Sequence, residues 1–369
     1  MVIGKKWLKM VVKIERNVNG KRESKELSTP LINVVLELIK ATYEDQDTVE
    51  IINPTDCQDL IKVSAFFEYI LKYPKDVKIP KVVVKAREEV AEDIQQNKLL
   101  NADIVCFSGG IDSTAALLHQ IEQKRRTVAL WCDYGQPYNE PERKAVRKIC
   151  EKLAIELYEA NIDLSKLIAL GTERFKHVFP ARNLLIAAIA VALNPQEVIL
   201  AGLSDELIVP DKSPRMYEEG SIYLKHKVYS PFIKMTKAEV LSVWQKRWNN
   251  ILHADETVSC YGGEGDCQDC SSCAKREVAK VASRYSNEYP KVFTNQAELI
   301  TNHWFSRIDQ FDNPRRDEIL ISLNRFYDKI TPDLQEKVKF YLAKYKVEVE
   351  SWEKHLINLD KVVDGYQNE

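Results

Sequence analysis

Between residues 100 and 200 the apolar positions take two alternating forms. Short uninterrupted runs, DIVCF at Asp103–Phe107, TVALW at Thr127–Trp131 and VIL at Val198–Leu200, are each followed by a turn. Longer stretches with apolar residues at helical spacing lie between them, at 113–124, about 140–153 and 183–193, with a further strand at 156–159. The short runs are too brief for amphipathic helices and read as strands buried on both faces. Strands alternating with helices predict βαβ units and an α/β fold, a doubly wound parallel sheet covered by helices. Ligands of such sheets bind beyond the carboxyl ends of the strands, so the loops opening at Ser108, Asp133 and Gly202 are expected to line one crevice.

The flanks have a different grammar, and three units are expected: an α+β accessory domain over 1–98, the α/β unit over 99–284 and a helical extension over 285–369. Residues 7–15 alternate like an edge strand, Asn17–Gly20 reads as a turn and KRESKEL as the returning strand. Thr29-Pro30 reads as an N-cap and first helical residue, opening a helix to about Ala41, and a second helix fits 55–73. Beyond 285, Asn313-Pro314 and Thr331-Pro332 read as helix starts, and Leu334, Val338, Leu342 and Tyr345 share one face. Trp304, Phe305, Phe326, Tyr327 and Trp352 are expected to pack this arm on its own chain.

Charge narrows the partners. Lys plus Arg number 53 against 55 Asp plus Glu, a formal net charge of -2, which argues against a generic nucleic-acid binder. The longest apolar run, Leu184–Leu193, is half of the ~20 residues a membrane-spanning helix needs. With no continuous apolar stretch near the start, no secretory signal and a cytoplasmic location are expected. Eight cysteines in a reducing compartment then point to metal binding or buried thiols. Cys260, Cys267, Cys270 and Cys273, spaced C-x6-C-x2-C-x2-C, can close a tetrahedral sphere of sulfur about a structural Zn²⁺ with no open position. The same spacing could hold an iron–sulfur cluster. Cys57, Cys106, Cys132 and Cys150 lie in apolar segments and read as buried thiols.

Glycine is scarce, which makes Gly109 and Gly110 conspicuous between a strand and a helix. They let the backbone of Ser108-Gly109-Gly110-Ile111-Asp112-Ser113-Thr114 approach a ligand closely, at a helix start whose free N–H groups and dipole favour an anion. Ser108, Ser113 and Thr114 add hydroxyl donors, and the site suits phosphate or pyrophosphate. Asp112 beside phosphate requires an intervening cation such as Mg²⁺.

The string SGGIDST resembles the signature of the PP-loop ATP pyrophosphatase family. The resemblance implies cleavage of ATP between the α and β phosphates and transfer of AMP to an oxygen of the substrate. Residues 257–276, TVSCYGGEGDCQDCSSCAKR, resemble the zinc knuckle of the QueC family of 7-cyano-7-deazaguanine synthases. Asp133-Tyr134-Gly135-Gln136, Phe179-Pro180-Ala181-Arg182-Asn183, Ser230-Pro231-Phe232 and Lys237-Ala238-Glu239 are similar to further QueC segments in the same order. The resemblance implies adenylation of 7-carboxy-7-deazaguanine, a small deazapurine carboxylate, with ATP, Mg²⁺ and a structural Zn²⁺. Arg182 and Lys237 are the candidates for stabilising departing pyrophosphate, Asp133 for orienting nucleotide or substrate, Gly202 for binding nucleotide, and Asp205 and Asp211 for reading the amidine edge of a guanine-like base, with Arg182 also a candidate substrate contact.

Pro137-Tyr138, Ala181 and Val209–Arg215 depart from the family pattern in the substrate half. Together with the two extensions, these departures favour a macromolecular acceptor: the leading expectation is transfer of the activated deazapurine to the amino terminus of a partner protein in bacterial antiphage defence. Free nitrile synthesis with ammonia is the first alternative, and a tRNA-modifying PP-loop enzyme the second. A homo-oligomer is left open.

Overall fold

The computed structural model describes residues 12–18, 21–53, 58–72, 78–86, 100–136, 138–164, 179–204, 210–260, 267–311 and 313–359. The α/β unit begins with β5 (Asp103–Cys106), α3 (Ile111–Glu122), β6 (Thr127–Asp133), α4 (Asn139–Lys152) and β7 (Glu156–Ile162). It returns through α5 (Arg182–Ala192), β8 (Val198–Leu200), α6 (Pro214–Leu224), β9 (Val228–Tyr229) and α7 (Lys237–Arg247). These five strands are parallel, in the spatial order β7-β6-β5-β8-β9. The chain starts in the middle, winds one way and then the other, so the switch point lies between β5 and β8, where a crevice opens at the strand ends.

Strand periodicity decides which residues meet which layer. Ile104, Val128, Leu130 and Cys132 join the core beneath α5, whereas Val105, Ala129 and Trp131 join the core beneath α3, α4 and α7. Both faces are buried, which explains the continuous apolar runs.

The amino-terminal region adds to this sheet. β1 (Val12–Val18) pairs antiparallel with β7, and β2 (Lys21–Leu27) pairs antiparallel with β1. The outer strand is therefore β2, not β1 as the alternation suggested. Among the described residues it is an outer strand, and its charged, exposed residues 22–26 suit that place, because such side chains resist pairing with another sheet. α1 (Pro30–Tyr43) starts as expected, with Thr29 accepting from the Ile32 N–H at 3.3 Å, and its apolar face packs with α5. A separate parallel pair, β3 (Thr48–Ile52) and β4 (Lys81–Lys85), encloses α2 (Leu60–Ile70).

The carboxy-terminal arm is helical, with α8 (Ser271–Ala282), α9 (Asn313–Asn324), α10 (Pro332–Tyr345) and α11 (Val349–Asn358). Trp304, Phe305 and Trp352 are buried against the same chain. Trp352 donates its indole N–H to the Ala282 carbonyl at 3.1 Å. Among the described residues no helix is long and apolar enough to cross a membrane.

Candidate active site

The phosphate-binding candidate occupies the end of β5, beside the switch point. Gly109 has φ +72, a left-handed conformation that side chains resist, and a Cβ there would press on Val146 of α4. At Gly110 a Cβ would come within 3.2 Å of Ser259 Oγ. The Val258 N–H donates to the Gly109 carbonyl at 2.8 Å, tying this loop to the chain that leads into the cysteine cluster. Gly110 is the N-cap of α3 with no side-chain cap, so the first-turn amides are not consumed by a capping oxygen.

A crevice enclosing about 200 Å³ is lined here by Ser108, Gly110, Asp112 and Ser113. Ile111 and Thr114 are fully buried behind the loop, and the Thr114 hydroxyl donates to the Gly110 carbonyl at 2.7 Å. Arg182 and Lys237 line the same crevice, brought there by the first residues of α5 and α7. Lys237 Nζ lies 2.8 Å from an Asp112 carboxylate oxygen, a half-buried ion pair. Its helix start is fixed by a capping box in which Glu239 donates its N–H to the Thr236 hydroxyl and accepts from the Thr236 N–H. His355 of α11 bonds the same Glu239, so the carboxy-terminal arm braces the helix that presents Lys237. Ala181, which precedes Arg182, adopts φ 54, a left-handed conformation that suits the glycine of the resembled pattern better than alanine.

Asp133 ends β6 but pairs with Arg143 and accepts from the Gly135 N–H at 2.8 Å; Cys132 and Tyr134, its neighbours, line the crevice instead. Gly202 is buried beside Ala201, which does line it. Asp205 lies outside the described residues. Asp211 belongs to a one-turn helix, Pro210–Lys212, and its side chain lies outside the description. Sequence reasoning missed Glu142, Trp131, Lys212 and Lys275, all in the crevice wall. Glu142 sits in a polar stretch, NEPERK, that looks like a solvated helix start.

A Cβ on Gly202 would run into the Tyr217 hydroxyl, which donates to the Leu200 carbonyl at 2.8 Å. Gly202→Ala is therefore expected to destabilise the protein by about 1–3 kcal/mol, as overpacking does, and adding Tyr217→Phe should recover part of the loss in thermal unfolding.

Cys260, Cys267, Cys270 and Cys273 converge with all sulfurs within 4.8 Å of one another. Cys267 and Cys273 sulfurs are 3.9 Å apart, close to the ~3.8 Å that Zn–S bonds of about 2.3 Å give in a tetrahedron. The residues thus fit a structural zinc. Cys260, Ser259, Ser271 and Lys275 also line the crevice, so the knuckle forms one of its walls. Cys106, Cys132 and Cys150 are buried, and burial pushes the Cys132 and Cys150 thiols up to about 12, which keeps them protonated; Cys57 lies outside the described residues.

The family model for the queuosine biosynthesis protein QueC matches residues 102–283, spanning the strand-end crevice and the knuckle. The central segment belongs to the QueC family. A 7-cyano-7-deazaguanine synthase 2 of Sulfurisphaera tokodaii is 29% identical over 257 residues, 61% of this chain and 54% of that protein. The 7-cyano-7-deazaguanine synthase of Sulfolobus acidocaldarius is 30% identical over 209 residues, 48% of this chain and 45% of that protein. That of Psychromonas ingrahamii is 27% identical over 209 residues, 49% of this chain and 93% of that protein. The chain thus spans about half the length of the first two relatives, whereas its match covers nearly all of the third.

Proposed function

We propose that this protein uses ATP to adenylate a 7-deazaguanine carboxylate and passes the acyl group to an amine, releasing AMP and pyrophosphate. The observation that carries the reading is a glycine loop at the switch point whose crevice also holds Lys237, Arg182 and the knuckle wall. The relatives' names favour ammonia as the amine and the nitrile as the product, over the protein acceptor expected from the sequence.

The chemistry follows from the leaving group. A carboxylate resists amines because displacement would expel oxide; as an acyl-adenylate it expels AMP. The loop amides and the hydroxyls of Ser108 and Ser113 bind phosphate oxygens, and Arg182 and Lys237 take up the charge that grows on pyrophosphate. Asp112 would hold Mg²⁺, which supplies neutralisation of phosphate charge when bound. The fit lies in the donor type, a carboxylate oxygen lining an anion-binding crevice, and Lys237, now 2.8 Å away, would have to share or release it. Trp131 and Tyr134 provide aromatic wall for a planar base.

Incubation with Mg-ATP, 7-carboxy-7-deazaguanine and ammonia is expected to yield AMP, pyrophosphate and first the primary amide; a second ATP then adenylates the amide oxygen, and departure of AMP with loss of the two nitrogen protons leaves the nitrile. Formation of ADP would contradict the reading. A protein amine as acceptor remains the second reading. It is favoured by the chain outside the family match, which adds two strands to the sheet and packs helices against α8 and α7. Neither a free metabolite nor ammonia requires those additions. Intact-mass spectrometry of proteins encoded beside this gene, with and without the enzyme, decides between the two.

A further inference from the structure

Among the described residues, two carboxylates line the crevice, Asp112 and Glu142. Asp112 is engaged by Lys237. Glu142 comes from a different element, the first turn of α4, and shares its part of the wall with Trp131, Tyr138 and Arg182. It stands on a different element from the phosphate loop, and without an intervening cation a carboxylate repels phosphate oxygens. The groups it can serve are donors, and the reaction brings one whose proton must leave: the attacking amine. We propose that Glu142 is the general base of the amine-transfer half-reaction, a role that rests on the function proposed above.

In that step the amine nitrogen bonds to the acyl carbon, and the carbon–oxygen bond to AMP breaks with its electron pair leaving on AMP. The proton lost by nitrogen passes to the Glu142 carboxylate and then to solvent. Burial raises the Glu142 acid to about 7, assisted by Asp133 on β6 and opposed by the Arg182 guanidinium on α5 and the Trp131 indole on β6. A base with that affinity is half ionised near neutral pH, where it can both accept a proton and release it.

The test uses the full chain and separates the two half-reactions. Adenylation is read as exchange of labelled pyrophosphate into ATP that depends on 7-carboxy-7-deazaguanine; transfer is read as amide or nitrile formed with ammonia. Glu142→Gln is expected to keep exchange within about threefold of wild type while transfer falls by roughly 10²–10⁴-fold, the usual contribution of a general base. The wild-type to variant ratio of transfer rates, which cancels the ionisation of ammonia itself, should rise as pH is raised through about 7. Glu142→Asp, which keeps a carboxylate, should recover part of the transfer. If exchange and transfer fall together in Glu142→Gln, the residue holds substrate and the assignment is wrong. Undiminished transfer, or a ratio flat with pH, also overturns it. Absence of exchange in the wild type would instead remove the proposed adenylation, and this assignment with it.

Discussion

Asp112→Asn is expected to lower AMP and pyrophosphate formation by at least about 10³-fold, since it removes the one anionic donor of the phosphate loop and alters charge where pyrophosphate departs. Asparagine keeps the size of the side chain and an oxygen that can accept from Lys237 Nζ, now 2.8 Å from the carboxylate. Breaking a fully buried pair costs about 3–5 kcal/mol, but both partners here retain some access to water, so the stability cost should be well below that range. Folded protein with no pyrophosphate release is thus the expected outcome, with Tm read alongside activity. Activity within threefold of wild type would reject Asp112 as part of the catalytic machinery. The comparison with Lys237→Met is informative. Loss of the lysine should lower turnover and leave Asp112 as an unneutralised anion in the loop, so its defect should ease as Mg²⁺ is raised, whereas that of Asp112→Asn should not.

What could be read in the sequence follows from how far each signal is local. β8 was legible to the residue because Val198–Leu200 is buried on both faces and must be apolar throughout. The start of α1 was legible because the Thr29 cap and Pro30 act within one turn. β3 and β4 were not, since TVEII and KVVVK are short strands with one exposed face in a pair outside the main sheet. β9, with two residues, carries no periodicity at all. The same division runs through the site. The glycine loop and the four cysteines are local motifs. Arg182 and Lys237 were reached through similar segments, and they do share the crevice. Asp133 stood at the right strand end, but Arg143, ten residues on, turns it into an ion pair, and that pairing depends on the helix returning over the strand. Glu142 is the converse: its sequence context is that of a solvated helix start, and only the surrounding walls make it a buried acid.

The knuckle joins the site to the rest of the chain, which is why Cys273→Ser should have the largest structural effect. Cys273 is fully buried on α8, in a core with Ala274, Val278, Phe293, Trp304 and Leu320. The other three cysteines all precede the helix, Cys270 as its N-cap, so a metal held by all four fastens Cys260 and Ser259 to the start of α8. Without metal, the neighbouring Cys270 thiol and burial push the Cys273 thiol strongly upward, and the cluster then holds protonated sulfurs packed together. Binding zinc discharges those protons and supplies folding free energy, which for structural sites is large, about 10–16 kcal/mol in small zinc peptides. Losing one of four ligands should forfeit stoichiometric zinc and at least ~3 kcal/mol of stability. The arm should loosen with it, since α9 packs directly on α8. Elemental analysis and thermal unfolding with and without chelator check this, with Cys132→Ala as the control that alters a buried thiol outside the cluster. Iron in place of zinc would change the metal and keep the scaffold argument. A Cys273→Ser protein that unfolds like the wild type, both free of metal, would show that the four sulfurs meet for some other reason.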